Sequence, residues 1–156
     1  MKYRHHRSWN VGNTKGITLI ELIVVMAVVA ILAAIAYPSY ITQVRISKRA
    51  VAKHVLLDAA NRQEQFFFSN RTYATALNQM PGYSSFTVYF DKEGSPTTVS
   101  ADRVYSLYVA ATCLAGDTPP CFLMLAVPQN DQTNDACGTY TLTSSNAKGA
   151  GASNCW

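Results

Sequence analysis

The 156-residue chain predicts an α+β fold. One long N-terminal helix, membrane-spanning in its first half, packs on a four-stranded antiparallel sheet with a disulfide-closed C-terminal region. Three observations carry this reading. Residues 22–44 form a run of 23 without a charge, and an apolar helical period continues from there to Phe68. Four segments rich in β-branched and aromatic residues follow the helix, and all four cysteines lie beyond residue 112.

The chain opens on a basic stretch. Lys2, Arg4, Arg7 and Lys15 stand in residues 1–16 without an acid, which accounts for the whole net charge of +4. The other nine basic and nine acidic residues cancel, so net charge alone gives no case for nucleic acid once the leader is removed. Apolar residues make up 49% and charged ones 14%, against about 25% charged in ordinary soluble domains. That balance excludes a disordered or acidic-tail protein.

The uncharged run exceeds the roughly 20 residues a helix needs to cross about 30 Å of hydrocarbon. It is apolar on every side over 22–36, whereas a core helix of so small a protein needs a polar face. A secretory signal carries its apolar region inside the removed piece. Here a polar leader and Gly16 come first, so cleavage after Gly16 leaves the helix on the mature chain. Glu21 stands at the start of this span. An acid in an apolar span costs about 2.5–3.5 kcal/mol on insertion scales, which makes it a functional residue by default. Pairing with the new amino terminus at Ile17, on a neighbouring subunit, would neutralise both charges and set axial register in a filament. Hydration at the membrane surface is the plainer alternative.

Pro38 removes one backbone donor and bends the helix without ending it. Beyond it, Ala52, Val55, Leu56, Ala59, Ala60, Phe66 and Phe67 recur at helical spacing, with Arg45, Arg49, Lys53 and Arg62 between them. The bases read as a solvated face, His54 as a surface residue, and Phe66-Phe67-Phe68 as the anchor on the sheet. The helix spans 17–69, with 17–44 in the membrane, and the globular domain spans 70–156.

Residues 86–90, 104–112, 121–127 and 138–144 read as strands in series. Turns are expected at 93–96, 116–120 and 130–134. Four cysteines allow three pairings, and proximity in sequence favours Cys113 with Cys121 and Cys137 with Cys155. The spacing lacks a CxxC and a nearby histidine, which sets zinc aside. Asp131-Gln132-Thr133-Asn134-Asp135 is rich in oxygen, but Ala136 and Leu142 occupy positions where a calcium loop needs glycine and glutamate, so it reads as a solvated turn. No nucleophile and base come together, no cofactor is expected, and the chain does not read as an enzyme.

Gly16-Ile17-Thr18-Leu19-Ile20-Glu21-Leu22 resembles the processing site of type IV prepilins. The resemblance implies cleavage after Gly16, an N-methylated first residue at Ile17, with Ile17 standing where phenylalanine is usual, and assembly roles for Glu21 and Pro38. Arg62–Ala74 and the terminal Cys155-Trp156 are similar to the same regions of PilE-type minor pilins. The implied function is a structural minor subunit that primes or supports a type IV pilus used in twitching, adhesion and DNA uptake. The implied partners are major and minor pilins, prepilin peptidase, an inner-membrane platform protein and an assembly ATPase. The implied location is the inner membrane, globular domain in the periplasm, and then the extracellular pilus. Related secretion pseudopilins hold calcium in a C-terminal loop, and a type II secretion pseudopilin is a further reading of the same architecture. A DNA receptor is the reading from a different class, with Arg71, Lys92, Arg103 and Lys148 as contacts beside Tyr83 or Tyr105. Residues 72–156 hold three bases against six acids, which places that reading second.

Overall fold

The computed structural model describes residues 16–110, 113 and 118–156. The expected leader, apart from Gly16, and the first part of the 116–120 turn lie outside the described residues. The chain divides into two compact units, Met1–Ser39 and Tyr40–Trp156. Helix α1, Leu19–Asn70, contains Pro38 and is long and apolar enough to cross a membrane. In the first unit every described residue is exposed, Ile17 at 78% and Ile35 at 71%. So many large apolar side chains without cover need a solvent other than water.

In the second unit α1 buries Val51, Ala52, Val55, Leu56, Ala59 and Gln63, one stripe at helical spacing. After α1 come β1 (Val88–Phe90), β2 (Tyr105–Ala110), β3 (Leu123–Pro128), β4 (Tyr140–Thr143) and β5 (Lys148–Gly149). They pair antiparallel in sequence order. The expected four strands are present with bounds shifted by one or two residues, residues 111–112 of the second lying outside the described residues, and a two-residue fifth strand joins β4 through Thr141↔Gly149 and Leu142↔Lys148. Period-two alternation puts Tyr105 and Leu107, Met124 and Ala126, and Tyr140 and Leu142 fully inside, where they form one core cluster with the helix stripe.

The helix ends at Asn70 because Arg71 turns to φ 58°. Its N–H still bonds to the Phe67 carbonyl at 2.8 Å, closing the last turn. Phe66 packs against the core, and Phe67 stacks on Tyr73 at 4.7 Å. Phe68 does not share that anchoring role: it is 75% exposed, one residue further round the helix. Tyr73 meets Phe122 edge-on at 4.9 Å and so fastens the chain leaving the helix to the sheet.

Gln63 is fully buried and is bonded to the backbone of Ala74 in both directions. Its Nε2 donates to the Ala74 carbonyl at 2.9 Å, and its Oε1 accepts the Ala74 N–H at 2.8 Å. The amide thus replaces the strand partner that this segment lacks. Gln63→Leu keeps the volume and leaves two backbone groups unpaired, at a cost of about 2–4 kcal/mol. Thermal denaturation should show a drop in Tm of about 10–20 °C. The exposed control Gln65→Leu should leave Tm unchanged.

Candidate functional site

Gly16, Ile17 and Thr18 precede the first helical residue and are exposed. Thr18 Oγ1 accepts the Glu21 N–H at 3.3 Å, and the Thr18 carbonyl accepts the Leu22 N–H at 3.2 Å. Thr18 is therefore the N-cap of α1, with Glu21 at the third helical position, the spacing of a capping box. The sequence carries that Thr-x-x-Glu signature in Thr18 and Glu21. Pro38 lies inside the helix, nineteen residues beyond its start.

Of the bases that follow the apolar run, Arg45, Arg49 and Arg62 are paired with carboxylates and do not form the expected solvated face. Arg49 grips Asp135 with both ends of its fork, Nη2 to Oδ1 at 2.6 Å and Nε to Oδ2 at 2.8 Å. One turn earlier Arg45 grips Asp131 the same way, Nη2 to Oδ1 at 2.8 Å and Nε to Oδ2 at 3.1 Å. The two arginines and the two aspartates are each four residues apart, so a short 3-10 helix at Asn130–Asn134 lies docked along α1. Between the pairs, buried Gln132 donates from Nε2 to the Arg45 carbonyl, the Tyr105 hydroxyl and Asp135. The expected solvated turn at 130–134 is a docked element, and both of its carboxylates are already held by cations.

The pairs differ in depth. The Asp135 side chain is 3% exposed and that of Asp131 is 53% exposed. Burial pushes the Asp135 carboxyl up, but the Arg49 bonds and charge, with backbone N–H groups of Cys137 and Ala136, hold it below its ordinary value. The Arg45 bond lowers Asp131 as well. At the other end of the helix Arg62 pairs with Asp58 at 2.8 Å and donates to the Pro81 carbonyl at 2.6 Å.

The candidate DNA contacts fall into two groups, engaged and exposed. Tyr105 is fully buried, with its hydroxyl bonded to Gln132, so it is no surface reader. Tyr83 is half-buried and bonds to Asp58, and burial with that carboxylate pushes its hydroxyl up to about 12. Arg103 lies over the Tyr89 ring at 3.9 Å and donates to the Thr98 carbonyl. Arg71, Lys92 and Lys148 keep exposed heads. Lys92 lies 3.5 Å from Glu93, and the Lys148 amine is 5.4 Å from the Trp156 ring. The excess of acids in 72–156 loses its force as well. Two of the six are neutralised by helix arginines, and the folded unit from residue 40 carries nine bases against eight acids.

Cys113 is joined to Cys121, and Cys137 to Cys155, with Cα separations of 5.6 and 5.7 Å. The second bond holds the tail, which Trp156 Nε1 ties to the Gly149 carbonyl and the Tyr140 hydroxyl to that of Cys155. No cluster of three metal-binding side chains occurs among the described residues.

Residues 38–141 match the family described as type IV minor pilin ComP, DNA uptake sequence receptor. Residues 12–37 match the prokaryotic N-terminal methylation motif. A solved type IV pilin from Shewanella oneidensis is 23% identical, with 72% of this chain and 97% of that chain covered at a TM-score of 0.46. No curated protein matches.

The ion pairs give a pH signature. A carboxyl whose folded pKa is depressed stabilises the fold fully above its unfolded value, about 3.9, and loses that contribution as pH falls through the folded value. Asp135→Asn should cost about 2–3 kcal/mol near neutral pH, below the roughly 3–5 of a fully buried pair because Arg49 stays partly in water. Its deficit against wild type should close as melting is followed from about pH 5 to pH 2. Asp131→Asn, exposed, should have a much smaller effect.

Proposed function

The chain belongs to the ComP family of type IV minor pilins, and on that premise we propose that it is a pilus subunit whose globular domain takes hold of DNA. As a minor pilin it is anchored in the inner membrane by its apolar helix, is incorporated into the pilus, and works with other pilins and the assembly machinery. Pilins of this family and fold are structural proteins, in general without enzymatic activity.

The observation that carries the proposal is the extent of the match. It covers residues 38–141, most of the folded domain, beyond the processing motif at residues 12–37. The family description names a receptor for DNA uptake sequences, and the same role here fits exposed Arg71, Lys92 and Lys148. Phosphate contacts from such side chains supply affinity, with polar neighbours left to read bases. Processing by prepilin peptidase after Gly16, with Ile17 methylated, would then release a subunit for the platform protein and assembly ATPase. Glu21 would pair with the amino terminus of a neighbour during packing, the Thr18 cap holding it at the helix start. The globular domain would be residues 70–156 beside the second half of the helix.

Two measurements test this. Mass spectrometry of sheared pili should find a peptide beginning at methylated Ile17, at a small fraction of the main subunit. An uncleaved leader would overturn the pilin processing step, and abundance above every other subunit would make this a major pilin. Duplex DNA binding by the full processed protein should weaken with salt, with a log–log slope of about −2 to −3 for two or three phosphates. Arg71→Ala and Lys148→Ala should each reduce that slope by about 1. Negligible binding at low salt would remove the receptor reading and leave the structural subunit.

A further inference from the structure

A sheet covered on one face alternates apolar residues inside with polar ones outside, and β3 breaks that rule. Its run Leu-Met-Leu-Ala-Val is apolar at every position. Met124 and Ala126 fill the core, so Leu123, Leu125 and Val127 point the other way and are only half-buried. Tyr108 on β2 joins them, opposite Leu125 and between the inward Leu107 and Val109. None of these four packs against the core cluster. Among the described residues the Tyr108 ring has no ring partner and its hydroxyl no hydrogen bond. An apolar strip with a bare aromatic ring, outside the core, marks an interaction surface.

Size and charge select the partner. At about 4.8 Å between strands and 3.3 Å per residue, the whole face measures roughly 20 by 20 Å. That is about half of the ~800 Å² per partner in a standard protein interface. Sheets of similar size stack two or three unpaired bases. No strand residue is an acid. One row crosses the face through Tyr108, Leu125, Thr141 and Gly149. Gly149 keeps that edge flat, because a Cβ there would strike Thr141 Oγ1, and exposed Lys148 stands beside it. On the other side Tyr89 pairs with Ser106, which puts it diagonal to Tyr108 at about 7–8 Å. Arg103 covers the Tyr89 ring at 3.9 Å, and guanidinium planes stack bases as rings do. A cleft of about 330 Å³ opens there, lined by Thr87, Thr97 and Thr98 among others and by no acid. Threonine hydroxyls pair with donors and acceptors on base edges alike.

We infer that this outward face of the sheet is a stacking platform for an unpaired stretch of DNA. Tyr108 lies under one base, Arg103 on Tyr89 lies under the next, and Lys148 meets the backbone. The inference rests on the DNA reading above and names the form of DNA that the domain holds. Stacking on a side chain needs an open base face, which a single strand offers along its length and a duplex only at its ends.

Fluorescence anisotropy with the full processed chain in detergent micelles tests this on three probes of equal length: a single strand, its abasic counterpart and a duplex. The single strand should bind about tenfold or more tighter than the abasic strand, which keeps the phosphates and loses the bases. Tyr108→Ala should weaken single-strand binding about tenfold, the loss of one stacked base. It should leave the abasic strand and the duplex unchanged. Tyr108→Phe keeps the ring and should bind as the wild type does. Photocrosslinking of a bromouracil-substituted strand to the wild-type chain should label Tyr108, and it reports even if the alanine variant fails to fold. Equal binding of base-bearing and abasic strands, full binding by folded Tyr108→Ala, or crosslinks confined to other segments would overturn the platform. Duplex binding that persists beside those results would leave the receptor reading standing, whereas no binding of any probe would remove both. Self-association lost in Tyr108→Ala, without single-strand binding, would give the face to a second copy of the chain.

Discussion

Asp135 carries a charge at a position almost closed to water, and a charge so placed must be met by another. Arg49 meets it with both arms of its guanidinium, and that demand organises much of what surrounds it. Because Arg49 is on α1 and Asp135 ends the 3-10 helix, the connection from β3 to β4 is drawn onto the helix. Gln132 is then enclosed between them and spans to Tyr105 on β2, so helix, loop and sheet share one polar network. Cys137, two residues on, starts from a fixed point when it closes on Cys155. A disulfide that closes a loop of this size contributes about 3 kcal/mol through lost chain entropy, provided its ends are already in place.

The same network explains why charge arithmetic along the sequence misled. Counting 72–156 as a block treats Asp131 and Asp135 as surface anions. They are instead partners of Arg45 and Arg49, 86 residues earlier in both cases. Pairs that far apart leave no trace in local composition. What remains at the surface is nearly balanced, so binding of a polyanion depends on where single exposed bases stand.

The elements were legible because each follows from a local rule. The uncharged run, the helical period through Ala59 and the alternation in β2, β3 and β4 all report burial directly. Neighbouring cysteines were legible for a related reason: short separations keep their ends close. β5 was not, since two residues, Lys148 and Gly149, hold no periodicity, and their pairing depends on the turn after β4. Phe68 was misjudged because three identical residues conceal which of them faces inward, and 100° per residue turns the third away from the core. Tyr105 was misplaced as a surface reader although its own strand pattern puts it on the buried face with Leu107. The Thr18 cap was legible in full from the Thr-x-x-Glu spacing.

The Thr18 cap bears on how the N-terminal segment can work. A capping threonine satisfies one of the open N–H groups at the helix start, those with no carbonyl a turn earlier to accept them. It does so without using the Glu21 carboxylate, since the bond runs from the Glu21 backbone to the Thr18 hydroxyl. The side chain of Glu21 is thereby left on an ordered turn with its charge unassigned. In a bilayer such an acid sits best at the interface, and in a filament it sits best against a cation. One residue would serve both states, on the proposed assembly role, because the helix start is held by its neighbour and the ordering cost of that turn is met before any partner arrives.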